Sequence, residues 1–283
     1  MPVRKLTLAG GLPELPYHDL GPQDQAPFLA LTAGVAGDEL NAIYVLGRLA
    51  RFLNGIEAGE QGGYRLAKRI LLLALSERPQ PAGLPAAVLE ATRDAHIKID
   101  IANAGDEFET LPTVHLIDAF DDERATAFLF GLPAILELTQ DEVSRQGLVP
   151  EWRQHGGENF LLQCGIGGSL QLHHCQRLFQ ALINFLVRVG VLDGPEDLEV
   201  EEDVHLFGAG QTLGLAAEGG GMFVSSLAVG KWLQAGEHIG YLYDAFSGEI
   251  TQELRAPVSG LLSGLRRRPL VQAEELLARI QVR

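Results

Sequence analysis

Short apolar runs alternate with segments of helical periodicity as far as residue 192, and beyond that point only short, glycine-punctuated runs remain. Phe28-Leu29-Ala30-Leu31-Thr32-Ala33 is apolar and bounded by Pro27 and Gly34, which reads as a central strand. From Glu39 to Leu53 the apolar residues fall at Leu40, Ile43, Tyr44, Leu46, Leu49, Ala50 and Leu53. That spacing predicts an amphipathic helix. The same reasoning predicts a second apolar core element over 69–75, strands over 96–101, 114–118, 134–138 and 159–164, and helices over 84–93, 123–130 and 170–189. Such alternation argues for an α/β domain with a mixed or parallel sheet, ending near Leu192. Residues 193–203 are acidic and turn-rich and read as a linker. The runs at 204–207, 221–224, 238–243 and 256–262 then predict an all-β module over 204–283.

Composition narrows the picture. A chain of 283 residues with 46% hydrophobic side chains can bury one large core and a smaller one. A formal net charge of −15 disfavours nucleic acid and anionic membranes as partners. Cys164 and Cys175 are too few for a disulfide framework and are not spaced as a metal clip, which fits a reduced cytoplasm. The sequence offers neither a signal-peptide run at its start nor an apolar run long enough for a membrane span. A cytoplasmic location is expected.

Three blocks carry candidate chemistry. In Gly34-Val35-Ala36-Gly37-Asp38-Glu39 a strand runs through a glycine turn into a helix. The block resembles the first zinc-ligand turn of the succinylglutamate desuccinylase/aspartoacylase family, a branch of the zinc carboxypeptidases. That family writes the turn G-x-H-G-D/E-E, with the His and the last Glu on the metal. Glu39 keeps the Glu position, and Ala36 stands at the His position. The family's next ligand ends the pattern I-D-L-H, and Ile99-Asp100-Ile101-Ala102, followed by Asn103, is similar to it with Ala102 at the His. The family's general base is a Glu shortly before a Gly, and Leu162-Gln163-Cys164-Gly165 places Gln163 there. The N-R and F-P-G motifs that hold a substrate carboxylate in the family have no counterpart between Gly62 and His96. Gly236 to Gly240 and Ala256 to Gly260 resemble the family's barrel-sandwich appendage, which is built like a biotinyl/lipoyl domain. The resemblance therefore implies a zinc-carboxypeptidase-like mixed sheet flanked by helices over 1–192 and a β barrel-sandwich over 204–283.

What it implies about function is a site stripped of its chemistry. Zinc in such a hydrolase takes three protein ligands and a water, and Glu39 alone remains, so no cofactor is expected. Glu39 also suits the positive end of the helix that follows it, with no metal at all. The expected role is a catalytically degenerate binding or regulatory subunit, assembled with its own copies or with an active paralogue. Ala36, Asp38, Ala102, Asn103 and Gln163 would line a pocket for a small polar ligand. The alternative is an active metal-dependent amidohydrolase that releases an acyl group from an N-acyl amino acid through displaced ligands such as His155, Glu158 and Glu39.

Other candidates read as structural. His173 and His174 are neighbours on a predicted helix and point to different faces. His115 lies within a strand and reads as a satisfied, partly buried side chain. Asp38 with Asp100, or Glu107 with Glu109, offers a carboxylate pair, although in an acidic protein such groups are usually solvated. Cys164 reads as a small buried apolar residue rather than a nucleophile beside His155 or His173. Gly208-Ala209-Gly210-Gln211-Thr212-Leu213-Gly214 follows a strand but no helix follows it, which fails the dinucleotide-loop test. Lys231 lacks the surroundings of a lipoyl acceptor.

Overall fold

The computed structural model describes residues 3–6, 15–35, 39–75, 83–103, 105–139, 148–195 and 203–283. The first part of the chain runs through β1 (Val3–Leu6), β2 (Leu15–Leu20), β3 (Leu29–Ala33), α1 (Leu40–Glu57), β4 (Arg65–Leu66), β5 (Ile70–Ala74) and α2 (Leu84–Thr92). It continues with β6 (Ile97–Ala102), β7 (Phe108–Ile117), α3 (Asp121–Ala127), β8 (Ala134–Leu138), α4 (Val149–Arg153), β9 (Glu158–Gly165), α5 (Leu172–Arg188) and β10 (Leu192–Asp193). The rest is strand: β11 (His205–Phe207), β12 (Thr212–Ala216), β13 (Gly221–Val224), β14 (Trp232–Leu233), β15 (His238–Tyr243), β16 (Ile250–Arg255), β17 (Gly260–Arg266), β18 (Leu270–Val271) and β19 (Leu276–Gln281).

The architecture is the expected mixed α/β one. The main sheet runs β1-β2-β5-β3-β6-β9-β7-β17-β19-β12. Strands β5, β3, β6 and β9 are parallel to one another, and β7 runs antiparallel to β9. A parallel strand buried on both faces is mostly apolar, and Leu29–Ala33, with Thr32 the one polar side chain, and Ile70–Leu73 meet that demand. Helices α1 and α5 cover one face through Val45, Leu46, Leu49, Leu53, Leu178, Leu182 and Phe185, packed on Leu31, Ile99, Phe160 and Leu162. Phe185 stacks on Phe130 with centroids 3.8 Å apart, and Phe160 meets Phe130 edge-on at 5.4 Å. The opposite face is covered by Val88 of α2 and Trp152 of α4. The Trp152 indole N–H donates to Thr92 Oγ1 at 2.8 Å, which satisfies a buried donor.

Beyond β10 the described chain contains no helix. Strands β16, β15, β13 and β18 form a second sheet, and Phe223, Leu242, Leu262, Leu265, Leu277 and Ile280 form a separate core. This all-β half is not detached from the first. β17 pairs with β7 at Gly264 and Thr110, and β11 pairs with β8 at Leu206 and Ile135. Within the anticipated linker, Asp193 pairs with Arg65 in the β10–β4 ladder, and residues 196–202 lie outside the described residues. The run predicted at 256–262 begins as strand only at Gly260. Strands over 212–216, 250–255 and 276–281 were not foreseen, and neither were β1 and β2.

Gly34 ends β3 with φ +84°, and a Cβ there would stand 2.1 Å from the Leu75 carbonyl oxygen. Any side chain at this position is both left-handed and in collision. Gly34→Ala should therefore lower the stability by at least about 1–3 kcal/mol, read as a shift of the urea midpoint with an unchanged slope.

Candidate functional site

The parallel register brings the ends of β3, β6 and β9 together. Ala33 is level with Ile101, and Ala102 with Gln163. Ala102 and Gln163 thus stand side by side at the carboxyl end of the sheet, where ligand sites of open α/β sheets lie. Ala36 and Asp38 fall outside the described residues. Glu39 is buried at the start of α1, and its Oε2 accepts the Gly34 N–H at 2.8 Å. Asn103 Oδ1 accepts the Gly105 N–H at 3.3 Å. Gln163 lies across the β9–β7 ladder from Thr113, and its buried Oε1 accepts no hydrogen bond among the described residues.

Asp100 occupies the same end of β6 and is buried, with Oδ1 2.7 Å from Thr32 Oγ1. Burial raises its pKa to about 6, against hydrogen bonds from Thr32 and from the Leu148 and Ile101 backbone that favour the carboxylate. The pairing of Asp100 with Asp38 cannot be read from the described residues. Glu107 and Glu109 do not act as a pair: Glu107 binds Arg266 and Arg268, and Glu109 binds His174 and Arg267.

The donors at the family's zinc position do not fit zinc. Among the described residues that the resemblance places there, Glu39 offers one carboxylate already bonded to the Gly34 N–H and Ala102 only a methyl group, while Gln163, at the base position, offers an amide. A set of one carboxylate falls short of the three protein ligands that a catalytic zinc takes. The displaced set is also separated by topology. Glu158 is level with Ile97, and Ile97 with Leu29, so Glu158 lies at the amino end of the strands. Glu39 follows β3 at the carboxyl end, about 20 Å away at the usual rise per strand residue. His155 is exposed beyond α4, and Glu158 has His96 at 3.8 Å.

A constellation that the sequence did not disclose lies at the same end of the sheet. Glu109, at the start of β7, accepts His174 Nε2 on Oε1 at 2.7 Å and the Arg267 Nε–H on Oε2. Gln171 Nε2 donates to Oε1 at 2.8 Å. His173 Nε2 is 3.9 Å from the same oxygen. The two imidazoles were expected on different faces. His174 is indeed buried and His173 exposed, yet their rings lie 3.9 Å apart and both reach Glu109. Burial opposes ionisation of Glu109, but hydrogen bonds and charge from His174 and Arg267 hold its pKa down at about 2. Burial and the neighbouring His174 lower that of His173. The usable signal was a His-His pair opening the helix after the base-position strand. Its partner Glu109 lies too far away in sequence to be paired by spacing.

The remaining candidates are structural. His115 is buried more fully than expected, with Nε2 2.9 Å from Thr113 Oγ1 and no partner for Nδ1 among the described residues. Burial lowers its pKa to about 3, so it is neutral. Cys164 is buried, and burial pushes its thiol well up, which removes it as a nucleophile. Gly208–Gln211 turns directly into β12 with no helix. Lys231 binds Glu237 at 2.5 Å, and the β15–β16 turn presents Phe246, not a lysine. No helix among the described residues is long and apolar enough to cross a membrane.

No family model matches the sequence, and no curated protein does. Solved structures do match. An aspartoacylase family protein from Mesorhizobium loti superposes with TM-score 0.72 at 15% identity, over 99% of this chain and 94% of that one. The product-bound ectoine utilization protein EutE (DoeB) from Ruegeria pomeroyi gives 0.71 at 16%, over 95% and 89%. A succinylglutamate desuccinylase/aspartoacylase from Rhodobacter sphaeroides gives 0.69 at 16%, over 94% and 89%. The chain has the succinylglutamate desuccinylase/aspartoacylase fold. The resemblance read from three short blocks thus holds for the mixed α/β fold, in which Ala102 stands level with Gln163.

Asp100 gives this end of the sheet a pH dependence. Its unfolded carboxyl ionises near 4, and the folded one about 2 units higher. Stability is full below about pH 4 and declines as pH rises toward 6, by up to about 3 kcal/mol. Asp100→Asn should flatten that decline, so the variant gains on the parent between pH 4 and 6. Urea unfolding at a series of pH values checks it.

Proposed function

We propose that the chain is a catalytically degenerate protein on the desuccinylase/aspartoacylase fold, whose pocket at the carboxyl end of the sheet binds a small polar ligand without hydrolysing it. The observation that carries this reading is Gln163. An amide cannot take a proton from water, and loss of a general base costs on the order of 10²–10⁴-fold. Its buried, unpaired Oε1 also favours a ligand that donates a hydrogen bond there. The finer architecture belongs to the same proposal: a carboxypeptidase-like unit over 1–192 and a biotinyl/lipoyl-like barrel-sandwich over 204–283. So does a regulatory role in the cytoplasm, in an assembly with an active paralogue or with the chain's own copies. Exposed Leu40, Tyr44, Leu170 and Leu172, at the starts of α1 and α5, offer apolar surface for such an assembly.

A second reading keeps amide hydrolysis with displaced ligands. Topology removes His155 and Glu158 from it, and what favours it is the convergence of Glu109, His173 and His174. An assay on N-acyl amino acids separates the two readings. The parent chain should release no acyl group above background with zinc supplied. The variant carrying Ala36→His, Ala102→His and Gln163→Glu should gain zinc affinity and measurable turnover. Chelator-sensitive hydrolysis by the parent would overturn the degenerate reading.

A further inference from the structure

The Glu109 constellation has the donors of a metal centre. One carboxylate oxygen and two imidazole nitrogens lie within 4.8 Å of one another. This nitrogen-rich set with one oxygen suits zinc and its neighbours among the divalent transition metals. Tetrahedral bonds of about 2.0–2.2 Å place donors roughly 3.3–3.6 Å apart. The Oε1 separations of 2.7 Å to His174 and 3.9 Å to His173 fall on either side of that range. Small side-chain rotations are enough to reach it.

The surroundings hold the carboxylate in place. Arg267 occupies Oε2 and leaves Oε1 toward the imidazoles. Gln171 donates to Oε1, and its own oxygen accepts the Ile166 N–H at 2.8 Å. The Gln171 backbone N–H donates to Asn41 Oδ1 at 2.7 Å. Such outer contacts fix the orientation of a ligand before the ion arrives. Two of the three donors are buried, while the His173 side chain is 70% exposed. The exposed side gives an ion a way in and leaves a coordination position for water or a small anion. The Arg267 charge works against the cation, but it is already neutralised by Glu109, and His174 must lose its Nε2 proton for the metal to bind.

We propose that Glu109, His173 and His174 bind one divalent transition-metal ion of the zinc class at the first residues of β7 and α5. The site shares no residue with the family's zinc position, and it stands whether or not the pocket at Gln163 holds a ligand. It gives the chain a metal-binding function that needs no general base.

The test is a cobalt(II) titration of the full, untagged chain after removal of bound metal by a chelator, followed by visible absorption, with zinc competition. The expected result is one equivalent per chain, with the intense bands of a low-coordinate cobalt site that zinc abolishes. His173→Ala removes an exposed side chain and should leave the circular dichroism unchanged while weakening binding by at least about 10–100-fold. Glu109→Gln should weaken it as well, and Glu39→Gln should leave it as in the parent. The proposal is overturned if the chain takes up no cobalt, if His173→Ala binds as the parent does, or if Glu39→Gln rather than His173→Ala abolishes binding.

Discussion

Strand β7 is the constraint on which the rest of the structure depends. It is buried at every position from Phe108 to Ile117 and pairs with β9, β8 and β17. Through β9 it joins the parallel strands, and through β17 it joins the all-β half. Its register shifts against β9 between Thr110 and Thr113, around Pro112, which cannot donate to a ladder. The shift divides the strand into two parts. Thr113 faces Gln163 across the ladder, while Glu109, beyond the shift, reaches His174, Gln171 and Arg267. Both candidate sites are therefore set by one strand, and a change in its packing would move them together.

The same strand marks where sequence reading runs out. Val114 to Ile117 is apolar apart from His115 and was legible as strand. Glu109, Thr110 and Thr113 are polar and interrupt the apolar pattern. They are tolerated in a buried strand because each finds a partner: Thr110 Oγ1 bonds the Gly165 carbonyl at 3.3 Å, Thr113 bonds His115, and Glu109 has its network. These contacts cross 50 residues or more, except for the Thr113–His115 bond, and periodicity does not register them. β2 was missed for a related reason. Asp19 interrupts any apolar pattern there, yet it is buried and accepts two hydrogen bonds from Arg69, each 2.8 Å. Helices α1, α2, α3 and α5 and the central strands were legible because their apolar spacing follows from the faces they bury, whereas the short α4 was not foreseen.

At the candidate site, Ala102 stands beside Gln163 because the parallel register fixes what stands beside what. The blocks could not show the cluster of Glu109, His173 and His174 a short way along the same end of the sheet, on different elements. The fold carries a buried carboxylate on β7 and a histidine pair on α5, one ring buried and one exposed. A metal held there would be oriented by Arg267, a residue of the all-β half, so that half would contribute to the site directly.

The most direct measurement is anomalous diffraction at the zinc edge from crystals of the unaltered chain equilibrated with zinc. The account predicts one peak, within bonding distance of Glu109, His173 and His174, and none at Glu39 or beside Ala102 and Gln163. A peak at Glu39, or no peak near Glu109, would contradict it.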